Sequence, residues 1–167
     1  MNEVYIIHSE TGDEYKLQFT TERSGVISNE ILDQLSLHGI EVVEIGLGRS
    51  KGNNVTSPKI LAQIEECIAK MLLSHPNVII SFFCDFISFV PKMKRKISVQ
   101  QYRSQLFTRM FEHYIAHHQI NDVCNRVVKI EGIAEDYYFH IIARQDHLKY
   151  VDIIAMGHQE DYGKPTE

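Results

Sequence analysis

Six basic residues fall in a stretch that contains no acid: Lys92, Lys94, Arg95, Lys96, Arg103 and Arg109, between Phe86 and Phe111. In a chain of formal net charge −5, such segregation marks a surface for something anionic, whether an acidic protein face, a nucleic acid or a phosphorylated ligand. Just before it, Asp85 ends the apolar run Val78-Ile-Ile-Ser-Phe-Phe-Cys84. The end of a buried strand is a place where α/β proteins hold ligands, so Asp85 marks a candidate cleft. An Asp85–Arg pair there has three readings: catalysis, anion binding, or a salt bridge pinning the loop to the next helix. The salt bridge is favoured, because a partly buried ion pair needs no substrate. Arg103 and Arg109 lie six residues apart, roughly 240° around a helix, so at most one of them meets Asp85 closely.

The remaining patterns that carry chemistry are weaker. His113 and His117 stand one helical turn apart with His118 adjacent, a spacing able to chelate zinc if a third ligand comes from elsewhere. Glu112 precedes the pair instead of falling within it, so no HExxH motif exists, and no metal is expected. Gly46-Leu-Gly48-Arg-Ser-Lys-Gly52 separates a strand from a helix and carries two bases. Such a loop can cradle phosphate at a helix N-terminus, but this one matches neither a Walker loop nor a dinucleotide fingerprint. A plain flexible loop is the favoured reading. Cys67, Cys84 and Cys124 have no histidine neighbour in sequence, no G-x-S-x-G elbow is present, and Glu41 and Glu44 lack the lysine of a nuclease E-x-K pair. No cofactor is implied.

Composition narrows the class. A 167-residue chain suits one domain, since that length buries roughly 70% of its unfolded surface. The 44% apolar and 23% charged content is that of an ordinary globular protein. The longest apolar run is too short to cross a membrane. Met1-Asn-Glu-Val-Tyr-Ile-Ile has an acid and no positive region, so no secretory signal is expected. Three cysteines form neither an even set nor a zinc spacing, which reads as reduced thiols in a cytoplasm. Residues 1–47 hold nine acids against two bases, a local charge of −7.

The elements that must position these residues alternate. Residues 4–8 and 15–21 read as a hairpin around Thr11-Gly12-Asp13, with Tyr15, Leu17 and Phe19 alternating against Lys16 and Gln18. Ser28 caps a helix over Asn29–Leu37 stopped at Gly39. Residues 40–47 read as a strand. Ser57-Pro58 opens a helix with the stripe Ile60, Leu61, Ile64, Cys67, Ile68, Met71 and Leu72. Residues 77–84 are apolar on both faces, as in a central strand. After the loop 85–97, Ser98 caps the longest helix, to about His118, with stripe residues Val99, Tyr102, Leu106, Phe107, Met110, Phe111 and Tyr114. Residues 126–131 and 137–143 read as a closing hairpin around Glu131-Gly132. Asp146 caps a last helix ended by Gly157. The expected fold is α+β: a single mixed sheet of about six strands with hairpins at both ends, packed by three to four helices. It forms one domain, 1–157, with a polar tail at 158–167. Ile64, Ile68, Val78, Ile80, Phe82, Leu106 and Phe107 are its expected core.

The strand ending in Cys84-Asp85 and the helical motif Arg103-x-x-Leu106-Phe107-x-Arg109-x-Phe111 resemble a group of small uncharacterised bacterial domains of unknown function. The resemblance covers residues 15–155 and implies a compact bacterial domain, with no activity to carry over. In those relatives the loop corresponding to 85–98 is shorter. The functional expectation is a non-enzymatic interaction module that meets an acidic protein or other anionic partner through the basic loop and helix. Lys92 to Lys96 interleave with Phe86, Phe89 and Met93, a mix that also suits phosphates and bases. The sequence pI of about 6.0 weighs against broad nucleic-acid affinity. A protein partner, or a second copy's acidic N-terminal third, is therefore favoured. The alternatives are an enzyme acting on a phosphate-containing or nucleic-acid substrate, with Asp85, Arg103 and Arg109 in its cleft, and one half of a bacterial defence or toxin–antitoxin pair.

Overall fold

A computed structural model describes residues 1–22, 25–84, 96–132 and 136–162, the side chains of the last five excepted. Six strands form one mixed sheet: β1 (Asn2–His8), β2 (Glu14–Thr21), β3 (Glu41–Lys51), β4 (Val78–Cys84), β5 (Val123–Ile130) and β6 (Tyr137–Arg144), in the spatial order β1-β2-β3-β4-β6-β5. Antiparallel hairpins sit at both ends, β1 with β2 and β5 with β6. Between them β3 and β4 run parallel, joined across one face by a helix. This is the α+β architecture expected from the sequence.

Four helices cover the sheet: α1 (Asn29–Leu37), α2 (Pro58–Ser74), α3 (Val99–His117) and α4 (Leu148–Tyr162). The first three begin where their serines place them. Ser28, Ser57 and Ser98 are all extended, and their hydroxyls accept from the amides of Ile31, Ile60 and Gln101. The period of two in β4 and β6 sends alternate side chains to two cores. Val78 and Ile80 of β4 join Ile142 of β6 beneath α2 and α3. Ile79, Phe139 and Ile141 pack beneath α1 and α4. The crossovers β3-α2-β4 and β4-α3-β5 place their helices on the same face and advance the same way across the sheet, so they share one hand.

Three readings are corrected. β3 continues to Lys51, so Gly46 and Gly48 are strand residues paired with Gln18 and Lys16 and not part of a flexible loop. The last helix does not stop at Gly157. It runs to Tyr162 after a 3-10 turn at Gln145–His147, and a Cβ at Gly157 would overlap Ile31 Cδ1 of α1. That glycine permits close helix packing. On α3 the buried residues are Gln100, Ser104 and Phe107, while Val99 is exposed and Leu106 only half-buried. Phe82 is also half-buried, while Ile64, Ile68, Val78, Ile80 and Phe107 are core as expected.

Candidate functional site

Asp85, Lys92, Lys94 and Arg95 lie outside the described residues, so the cleft reading of Asp85 has no geometry to weigh. The described part of the basic island frames α3. Lys96 precedes the Ser98 cap and is exposed, Arg103 is half-buried, and Arg109 is exposed one and a half turns further on. The two arginines do occupy different sides of the helix, as the 240° between them requires. Neither Lys96 nor Arg109 meets a carboxylate among the described residues. Elsewhere Arg49 pairs with Asp13, Lys59 with Glu10, Lys129 with Asp136 and Arg144 with Asp122, while Lys16, Lys51, Lys70, Arg126 and Lys149 are exposed like Lys96 and Arg109.

The glycine-bearing segment is committed to the fold. Asp13, 1% exposed, accepts from the backbone amide of Asn54 at 3.0 Å, Asn54 Nδ2 at 2.9 Å, Thr11 Oγ1 at 2.8 Å and Ser9 Oγ at 3.2 Å. These donors, led by the Asn54 side chain, pull its carboxyl down to about 2. Gly52, at φ +86°, packs so closely that a Cβ would overlap Asp13 Oδ1. Arg49 Nη1 lies 3.7 Å from the same carboxylate, and its Nη2 donates to Tyr15 Oη and Thr56 Oγ1. A loop already closed on a carboxylate is no phosphate cradle.

Glu41 and Glu44 are separated by the sheet. Glu41 accepts from Thr21 Oγ1 at 2.7 Å and from the Met1 amine at 3.0 Å, and the Thr21 hydroxyl leads in holding its carboxyl low. Glu44 pairs across to Ser81 on the other face, where burial and then neighbouring Glu22 raise it. The two do not form a catalytic carboxylate pair.

Between α2 and α3 the sheet is incompletely covered. An apolar groove of about 50 Å³ opens there, walled by Ile68 and Leu72 of α2, Phe107, Met110 and Phe111 of α3, and Ile142 of β6. Its one charged lining residue is Glu65, whose side chain is only 11% exposed and accepts no hydrogen bond among the described residues. Burial pushes its carboxyl up, against a smaller opposing pull from His113 and His118. His113 Nδ1 stands 4.0 Å from Glu65 Oε2. The His113 and His117 rings stack 6.1 Å apart, and among the described residues no group of three metal ligands converges on them.

A further polar constellation is buried beneath α3. Asn125 Oδ1 accepts from Nδ1 of His140 at 3.1 Å, which leaves His140 Nε2 to accept from Ser104 Oγ at 2.9 Å. Its hydrogen bonds run in the order of nucleophile, base and orienting residue. His140 and Ser104 are 0% and 5% exposed, and Phe107 and Phe82 wall the imidazole at ring distances of 4.9 and 6.2 Å. Burial drives His140 down to about 4, so it is neutral at pH 7. A neutral, enclosed trio seats α3 on the sheet. The sequence signal for it was a histidine inside a strand apolar on both faces. The thiols of Cys67 and Cys124 are pushed up by burial, away from nucleophilic thiolate.

The chain matches no known family profile, and no curated protein is detectably similar to it.

Proposed function

We propose that this protein is a cytoplasmic, non-enzymatic interaction module whose basic island meets an acidic protein surface. The observation that carries the reading is the segregation of its cations. Between Phe86 and Phe111 lie six bases and no acid, and of these Lys96 and Arg109 stand exposed with no acidic partner among the described residues. Unpaired surface cations contribute little to folding, so a cluster of them is free to serve a partner. In further support, the two strand acids weighed for nuclease chemistry do not form a pair: Glu41 holds the Met1 amine, and Glu44 lies on the other face of the sheet.

Immobilised poly-glutamate serves as the probe. The native chain should be retained at low ionic strength and released as salt passes roughly 0.1 M, where the screening length falls to about 10 Å. Reversal of Lys92, Lys94, Arg95 and Lys96 to glutamate should abolish retention and leave the melting temperature nearly unchanged, since exposed pairs are worth about 0–1 kcal/mol. Equal retention of the reversed chain would sink the proposal.

A further inference from the structure

The groove between α2 and α3 has an apolar depth and an acidic outer end. Phe107, Val123 and Ile142 line its inner part and are buried. Glu65 stands toward the outside, because His113, 4.0 Å from its carboxylate, is 77% exposed. The adjacent Glu66 is occupied by the Tyr114 hydroxyl, which donates to it at 3.2 Å. Glu65 therefore stands at the mouth of the groove, its side chain mostly covered and its carboxylate accepting no hydrogen bond among the described residues. A cation arriving there meets an acceptor with capacity to spare.

We propose that the groove binds a small amphiphilic amine, its ammonium on Glu65 and its compact apolar group against Phe107, Met110 and Ile142. The order of chemistry along the groove selects this ligand. A lysine side chain from a partner would carry its ammonium into the apolar end, whereas an alkylamine enters tail first and leaves the charge at the carboxylate. Phe111 and Tyr114 line the same groove, and a cation gains from aromatic rings where a neutral head does not. The volume, about 50 Å³, is roughly a third of a cavity that accepts benzene, so a branched chain of about four carbons fits and a ring does not. The raised Glu65 carboxyl agrees with a site short of positive charge. Arg109 is exposed and does not line this groove, so the site stands or falls independently of the basic island.

The test follows side-chain methyl signals of the full chain by NMR during titration with isobutylamine. Shifts at Ile68, Met110 and Ile142 should saturate at millimolar concentration, the range open to a ligand of about five heavy atoms. Isobutanol and isovalerate should bind about tenfold more weakly or worse, for want of a charge-assisted hydrogen bond. Glu65→Gln should reduce the amine to the level of the alcohol while leaving the alcohol unchanged. Ala69→Leu, which fills the groove, should abolish both. The proposal is overturned if amine and alcohol saturate together, if Glu65→Gln leaves the amine unaffected, if Ala69→Leu leaves binding intact, or if no shift occurs by ~50 mM, far above the expected range.

Discussion

Asp13 and Glu65 are both carboxylates withdrawn from water, and the protein treats them in opposite ways. Asp13 is surrounded by the donors of Ser9, Thr11 and Asn54, which pull its carboxyl down to about 2. Glu65 lines an apolar groove with His113 at 4.0 Å, and burial pushes its carboxyl up. Burial alone therefore does not separate a structural acid from a recognition acid. The donors around it do: a saturated carboxylate holds the fold, and an unsaturated one has capacity left for a ligand.

The largest effect belongs to the groove's wall and not to its charge. Phe107→Ala should cost about 3–5 kcal/mol in urea unfolding, because the ring stacks on Phe82 and packs against His140. A loss below about 1 kcal/mol would mean that the buried Ser104–His140 pair seats α3 by itself.

Acid melting separates the groups by the direction of their effects. His140 titrates lower in the folded protein, about 4 against the ordinary 6.5, so the unfolded chain takes up protons first. Stability should fall as pH drops from about 6.5 to about 4, by roughly 3 kcal/mol, and His140→Gln should flatten that window. Asp13 acts below it, its contribution present above the ordinary carboxylate value and lost as pH falls toward about 2. Glu65 has the reverse sign. Its raised carboxyl means that ionisation opposes folding, and acidification through its titration relieves that opposition. A His140→Gln melt that still falls steeply between 6.5 and 4 would overturn this assignment.

Much of the frame was legible in the sequence, for physical reasons that differ by element. Ser28, Ser57 with Pro58, and Ser98 announced three helix starts because capping is a local interaction, and all three hold. The doubly apolar run before Asp85 announced a central strand because both of its faces are covered. Gly46 and Gly48 misled, since glycine marks loops in isolation, whereas here the ladder with β2 overrides it. Gly157 misled for the opposite reason: what it permits is contact with Ile31 of α1, far away in sequence. The face of α3 was misread because its first turns bury Gln100 and Ser104, and an apolar stripe cannot reveal a polar interior. Neither constellation of buried chemistry could be assembled from the sequence, although His140 stood out within an apolar strand. Glu65 sits on a helix whose apolar positions read as plain core, and Ser104, Asn125 and His140 meet only through the topology.

Two smaller effects bear directly on the two carboxylates. Gly52→Ala should destabilise by about 1–3 kcal/mol from its left-handed backbone alone, with a further loss because the new methyl overlaps Asp13. Wild-type stability in that variant would show that the Asp13 cradle is not rigid. Glu65→Gln should change stability by no more than about 1 kcal/mol, and in the stabilising direction, since it removes an under-solvated charge and breaks no hydrogen bond. A large destabilisation measured in urea would make Glu65 a structural acid like Asp13.

The most direct measurement follows the side-chain carboxyl carbons of Asp13 and Glu65 by NMR in one pH titration, with and without isobutylamine. Asp13 should titrate near 2 in both samples. Glu65 should titrate above the ordinary glutamate value alone and move downward when the amine is present, because an adjacent ammonium favours the ionised form. An ordinary titration at Glu65, or a value that the amine does not move, would contradict the division between the acid that holds the fold and the acid that awaits a cation.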